Sequence, residues 1–318
     1  MDSFAKEIIE GLSAKPRYLP TKYFYNKEGD RLFKEITKLD EYYLTRAEEE
    51  ILERHSFKFL EYFSNGGDRF NLIELGPGDG MKTHLILKDF LNNGTNFEYF
   101  PVDISDNVLD LLEANLGEKL PELKIKSLNL DYFEALKELH RISNHRNVVF
   151  FLGSNIGNFR REQAVVFLKA LNSHLIDGDL LLIGMDLKKD PNIIRRAYDD
   201  SKGVTRAFNM NYLQRINEEL DADFDLQCFE HSPEYDEESG AAESFISVLR
   251  ANEVRIGKHN KSFSFDAGEK IFMEISQKFD EEKIEDLAAK TGFEVVKYFY
   301  DSRNYFTDVI WRKTKNLK

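Results

Sequence analysis

From residue 70 onward, short apolar runs alternate with stretches whose apolar residues recur every three or four positions, and this predicts strands and helices in turn. Strands are expected at 70–76, 97–104, 123–130, 147–153 and 179–187, with helices between them at 81–92, 106–116, 131–141 and 161–175. Near-continuous runs such as VVFFLG and LLLIGM are what strands covered on both faces look like, so the sheet is expected to be parallel and doubly wound.

Before residue 70 the pattern differs. Residues 4–12 have helical spacing, and Pro16 and Pro20 impose an extended connection. The segment from Tyr23 to Tyr43 then spaces six aromatics between charges, with short helices expected at 29–38 and 45–54. Glu48, Glu49 and Glu50 are expected on a solvated helix face. After Lys188 the alternation breaks: 190–220 reads as helical and 225–279 as antiparallel strands, before a helix at 280–291 and strands at 293–300 and 304–312 resume it. The expected organisation is a sheet domain from 1–12, 53–188 and 278–318, with a second, α+β domain from 13–52 and 189–277. A pocket between the two would be the default site.

Composition narrows the chemistry. With 57 acidic against 44 basic side chains, a net charge of -13 and no basic run, neither a nucleic acid nor an anionic membrane is an expected partner. Cys228 is the only cysteine, which excludes an internal disulfide and a thiolate zinc cluster, and the seven histidines show no metal-ligand spacing, so no metal is expected. Neither a signal peptide nor a membrane span is indicated, which suits a cytoplasmic protein.

The stretch FNLIELGPGDGMKT, residues 70–83, places three glycines between a strand and a helix start, where missing Cβ atoms admit a ligand and unpaired N–H groups supply donors. A phosphate loop fails because Met81 stands where glycine must precede Lys82, and the G-x-G-x-G spacing is not the nicotinamide fingerprint. With Glu74 two positions before Gly76, the turn looks instead like the S-adenosylmethionine-binding turn of Rossmann-like methyltransferases. Asp103, 27 positions on, then stands where ribose hydroxyls are held, and Asp131 and Tyr132 end the third strand where an adenine amino group is met.

The blocks KYFYNKEGDRLFKEITKLDEYYLTRAEEEIL, LIELGPGDGMKT, PVDIS, GSNIGNF, AYDDSKGVTRAFNMNYLQRINEELDADFD and EISQKF resemble the histidine N-alpha-methyltransferase family of ergothioneine biosynthesis over nearly the whole chain. The resemblance implies an α/β, Rossmann-like S-adenosylmethionine-dependent methyltransferase domain with a second, inserted α+β substrate domain. It also implies transfer of three methyl groups to the amino nitrogen of L-histidine, giving hercynine. By matching motif, Glu74, Gly76, Gly78, Lys82, Asp103, Asp131 and Tyr132 would hold S-adenosylmethionine. Asn155, Asn158 and Tyr198 would hold the amino acid's polar end, Tyr42, Glu274 and Ser276 its side chain, and Tyr25 and Phe33 would line the amino pocket. Tyr25 and Asn158 are the expected catalytic residues, and a monomer acting on a small amino acid is expected.

Independently of the resemblance, strand periodicity in IFMEIS puts Ile271, Met273 and Ile275 on one face and Phe272, Glu274 and Ser276 on the other. Glu274 and Ser276 side by side suit the two nitrogens of an imidazole better than an indole, which offers one donor and no acceptor. Two positions depart from the family: the turn reads PGDGMKT where serine or threonine is usual, and Asn155 replaces a threonine. The second leaves open a relative acting on another amino acid, a tryptophan derivative or tyrosine. A nucleotide-binding module without catalysis and a phosphate-loop phosphotransferase are the remaining alternatives.

Overall fold

The computed structural model describes residues 3–64, 67–142 and 145–314, excluding the side chains of 139–142 and hence that of His140. The chain divides into two compact units, one from residues 1–43 and 189–277 and the other from 44–188 and 278–318.

The second of these holds a seven-stranded sheet. From one edge its order is Phe293–Tyr300, Phe306–Lys313, Leu180–Asp186, Arg146–Phe151, Phe70–Leu75, Phe97–Asp103 and Leu128–Asn129. The last five are parallel to one another and Phe306–Lys313 is antiparallel to both its neighbours, so a hairpin closes one side of a doubly wound α/β sheet. Every residue of Phe70–Leu75 is buried, and alternate residues feed different cores: Ile73, Val149 and Ile183 join one, Leu72, Val148 and Leu182 the other. The order reverses between Phe70–Leu75 and Arg146–Phe151, which brings the turns after Leu75 and Phe151 to the switch point of the sheet.

The strand expected at 123–130 shortens to Leu128–Asn129, preceded by an isolated bridge between Tyr99 and Ile125. Lys124 and Lys126 alternate with the apolar residues there, and a short charged edge resists pairing with another chain. The helix expected at 45–54 runs instead from Leu44 to Phe63, since Phe59, Leu60 and Phe63 extend its buried face for two more turns.

The strands that leave and re-join this unit lie side by side. Leu187 bridges Phe279 in parallel, Phe279 N donates to Asp186 O at 2.8 Å, and Lys188 N donates to Phe279 O at 2.7 Å. Beside them Lys278 and Asp186, both wholly buried, pair at 2.8 Å.

The other unit carries a sheet in the order Arg17–Tyr18, Lys270–Gln277, Ala241–Val248 and Phe229–Asp236, and a hairpin of Asn252–Ile256 with Lys261–Phe265. Helices Ser3–Ser13, Lys27–Ile36, Pro191–Tyr198 and Val204–Leu220 complete it. Two boundaries differ from those expected. Residues 1–12 group with this unit because Phe4, Ile8 and Leu12 join Leu213, Ile216 and Phe263 in one core, and 44–52 belong to the sheet unit with the helix they begin. Among the described residues no helix is long and apolar enough to cross a membrane.

Candidate functional site

Strand Phe70–Leu75 delivers the chain to Gly76, whose N–H donates to Val102 O at 3.0 Å. Gly76, Gly78 and Gly80 all have left-handed φ, of 67°, 60° and 72°. At Gly76 an added Cβ would stand 2.9 Å from the Tyr132 hydroxyl, so the glycine leaves open a cradle that any side chain would fill. Helix Thr83–Asn92 starts directly behind the turn with no side-chain cap at Lys82.

Glu74, 4% exposed, sits under this turn and ties it together. Its Oε1 accepts from Thr83 Oγ1 and its Oε2 from Tyr99 Oη, each at 2.5 Å. It therefore braces the turn by holding the helix start to two strands. Burial pushes its carboxyl up to about 7, against the two hydroxyl hydrogen bonds.

Asp103 ends the next strand half-buried and accepts from Ser105 N at 2.9 Å. Desolvation raises its pKa, the hydrogen bonds of the loop opposing. Tyr132 packs edge-on to Phe151 and Phe167, and its hydroxyl is pushed up to about 12 by burial and then by Asp103. Gly76, Asp103 and Tyr132 thus converge. Asp131 lies exposed beside them and caps the next helix: its Oδ1 accepts from Phe133 N at 2.8 Å and Glu134 N at 3.0 Å, which lowers its pKa.

The second turn at the switch point follows Phe151. Gly153 and Ser154 are both left-handed, with φ of 77° and 54°, and lead into the 3₁₀ turn Asn155–Asn158. Ser154 is buried and its Oγ accepts from Asp186 N at 3.1 Å. Lys82 Nζ and the Asn155 amide both come within 3.6 Å of where a Gly153 Cβ would stand, so these three residues meet, while Asn158 lies exposed at the turn's end.

Lys82 does not stand alone. Its ammonium pairs with Glu48, whose Oε1 also accepts from Gly153 N at 2.7 Å. Glu48 was expected on a solvated face, yet it is 1% exposed. The reason is positional: it falls four residues after Leu44 and four before Leu52, on the helix's buried stripe. That spacing was the signal in the sequence; the glycine at 184 in an apolar central strand was another, since it marks a close approach.

The remaining candidates belong to the other unit. Asn26 caps helix Lys27–Ile36 by accepting from Gly29 N at 2.8 Å, which fixes Tyr25 just ahead of the helix and Phe33 on its second turn. Their rings meet edge-on at 5.7 Å, with Phe208 at 6.0 and 6.1 Å. The Tyr25 ring is half exposed, but burial around its hydroxyl, then the charge of Glu274 and of Asp30, raise its pKa. Tyr42 packs half-buried on the same core, and Tyr198 closes helix Pro191–Tyr198, its carbonyl accepting from His231 Nε2 at 2.9 Å.

Glu274 and Ser276 do share a face, but not the one simple alternation predicts. A bulge lies between Phe272 and Glu274, where Phe272 pairs with Phe245 but Glu274 with Ser244. Met273 is the extra residue, so Glu274, opposite Ser244, and Ser276, opposite Ala242, turn onto the face of Ile271. Phe272 and Ile275 face the other way, correcting the expected grouping.

A family model described as "Histidine-specific methyltransferase, SAM-dependent" matches residues 4–313. A histidine N-alpha-methyltransferase of Mycolicibacterium smegmatis is 35% identical over 305 residues, covering 96% of this chain and 93% of its own length. One of Mycobacterium tuberculosis is 35% identical over 301 residues, covering 95% and 92%. An L-tryptophan methyltransferase of Psilocybe serbica is 26% identical over 310 residues, covering 90% and 86%. Among solved structures, an S-adenosylmethionine-dependent methyltransferase from Clostridium acetobutylicum aligns with 90% of this chain and 99% of its own at 12% identity and a TM-score of 0.43, a likeness too loose to argue from.

Proposed function

The chain belongs to the histidine-specific, S-adenosylmethionine-dependent methyltransferase family, and from that premise we propose that it transfers three methyl groups in succession to the α-amino nitrogen of L-histidine, giving hercynine, the first step of ergothioneine biosynthesis. The accompanying proposal is a cytoplasmic monomer that acts on the free amino acid, its acidic surplus turning nucleic acid away.

The cradle at Gly76, with Asp103 and the Tyr132 hydroxyl beside it, fits a nucleoside whose hydroxyls donate to a carboxylate. Gly76, Gly78, Lys82, Asp103, Asp131 and Tyr132 would hold S-adenosylmethionine there, with Glu74 bracing the turn. The bound donor supplies a methyl group already activated by sulfonium. The protein's task is then orientation, which is worth about 7 to 11 kcal/mol when reacting atoms are held in line.

One observation carries the choice of histidine: beyond the bulge at Met273, Glu274 and Ser276 alternate onto one face, a carboxylate and a hydroxyl able to meet two ring nitrogens. Tyr42 and Tyr198 are proposed to complete the grip on the amino acid, with Asn155 and Asn158 at its carboxylate and amino end. Tyr25 is proposed to act as a neutral hydroxyl, because its raised pKa keeps the phenol protonated at neutral pH. The edge-on Tyr25 and Phe33 rings offer π faces to the quaternary product, for which contacts of this kind are worth about 0.5 to 2 kcal/mol.

Incubation with S-adenosylmethionine and each free amino acid, with mono- and dimethylhistidine included, tests the proposal. The expected result is histidine gaining one, two and then three methyls by mass spectrometry. Trimethylation of tryptophan or tyrosine with histidine untouched would overturn the substrate.

A further inference from the structure

Three carboxyl groups and one ammonium converge beneath the glycine turn: Glu48 from helix Leu44–Phe63, Glu74 from strand Phe70–Leu75, Asp308 from strand Phe306–Lys313, and Lys82. Glu74 is occupied by Thr83 and Tyr99. Asp308 is wholly buried, and no donor of the protein lies on either of its oxygens. A carboxylate left in that state would be costly, so an unpartnered Asp308 in an apolar sheet needs an explanation.

Gly184 supplies it. A Cβ on this residue would lie 2.2 Å from Glu48 Oε1 and 3.2 Å from Asp308 Oδ1, so its absence makes the room in which the two carboxyls face each other. Two acids that close do not both ionise; one keeps its proton and donates it to the other. Burial and then Glu48 hold the Asp308 carboxyl well above the usual range, against Lys82. Asp308 is thus held toward its protonated form, and the Lys82 ammonium pairs with Glu48.

Glu48 spends its remaining acceptor capacity on the backbone. Oε1 takes the N–H of Gly153, the first of two successive left-handed residues, the second of which is not a glycine. Such a pair persists when its surroundings hold it.

We propose that Glu48, steadied by the Asp308 carboxyl across Gly184 and by Lys82, is a positioning residue for methyl transfer: it sets the Gly153–Ser154 pair and, through it, the Asn155–Asn158 turn. The inference rests on the methyltransferase reading above. Glu48 touches no reacting atom in this account; it acts through the turn.

Three variants separate positioning from mere stability. Asp308→Asn keeps an N–H donor toward Glu48 and should hold kcat within about threefold of the parent. Asp308→Leu removes the donor and Glu48→Gln removes the charge, and each should lower kcat by about tenfold or more while thermal melts confirm a folded protein. Hydrogen exchange across residues 152–159 gives a readout free of catalysis: the Gly153 amide should exchange faster in Asp308→Leu and Glu48→Gln but not in Asp308→Asn. Parental kcat and exchange in folded Glu48→Gln and Asp308→Leu would overturn the proposal, as would an Asp308→Asn variant as impaired as Asp308→Leu. Should the parent methylate no histidine, the function proposed above fails, and the exchange measurement still decides the role of Glu48.

Discussion

Glu274 follows directly on an extra residue in its strand, and the side-chain environment of its carboxylate is a consequence of that residue. It stands opposite Ser244, which is 1% exposed, and its charge is felt at the Tyr25 hydroxyl. Replacing it by glutamine keeps the shape and removes the charge that favours an N–H-donating ring. A hydrogen bond to a charged group is worth about 1.5 to 3 kcal/mol, so Glu274→Gln should weaken histidine binding by about ten- to a hundredfold. Calorimetry should find S-adenosylmethionine binding unchanged within about twofold by the same variant; equal losses for both ligands would assign Glu274 to the fold instead. The proximity of Glu274 and Ser276 was legible because period-two spacing survives a bulge that lies before both of them. The side taken by Phe272 was not, because nothing in IFMEIS marks Met273 as the unpaired residue. The solvated face expected for Glu48 fails for another reason: in a run of three glutamates the composition argues for solvent, while the helical phase set by Leu44 and Leu52 argues for burial.

At the scale of elements, Glu74 joins a strand, a helix start and a neighbouring strand through Thr83 and Tyr99. Its carboxyl is raised from 4.5 to about 7 by burial, so the folded protein holds a proton there that the unfolded chain has released. Stability from this group is complete below the usual glutamate value and is lost as pH rises through about 7, a change on the order of 3 kcal/mol for an upward shift of this size. Glu74→Gln, which cannot ionise, should therefore lose less stability than the parent between pH 5 and pH 8. Denaturant melts at the two values measure it; an identical decline in both proteins would place the proton elsewhere. The strands either side of this junction were readable from their apolar runs. The third was read too long, because alternating lysines suit an exposed edge as well as a paired strand, and only the neighbour's register decides how much of it pairs.

The whole molecule separates into a sheet unit whose two cores sandwich the sheet and a second unit with a core of its own. The alternation of strands and helices announced the first, since each βαβ step is written locally. The composition of the second was harder to read. Its three pieces of core come from residues 4–39, 208–229 and 246–273, and no local pattern says that helix Ser3–Ser13 packs with them rather than with the sheet. The division also gives a spectroscopic handle. Trp311, the only tryptophan, is wholly buried in the sheet unit, so its fluorescence reports that unit's unfolding. S-adenosylmethionine at about a hundred times its dissociation constant should stabilise the folded state by about 2.7 kcal/mol and raise the midpoint of that melt. Dialysis should reverse the rise, and an unmoved midpoint would count against a donor site in this unit.

The side-by-side run of Leu187 and Phe279 has a consequence for the chain between them. Where a chain departs from a sheet and comes back at adjacent positions, the length and content of what lies between are invisible to the sheet's own hydrogen bonding. The stretch 189–277 answers instead to residues 1–43, with which it shares a core and, through Arg17–Tyr18, a sheet. A change in the length of 189–277 therefore leaves the pairing of the seven-stranded sheet as it is.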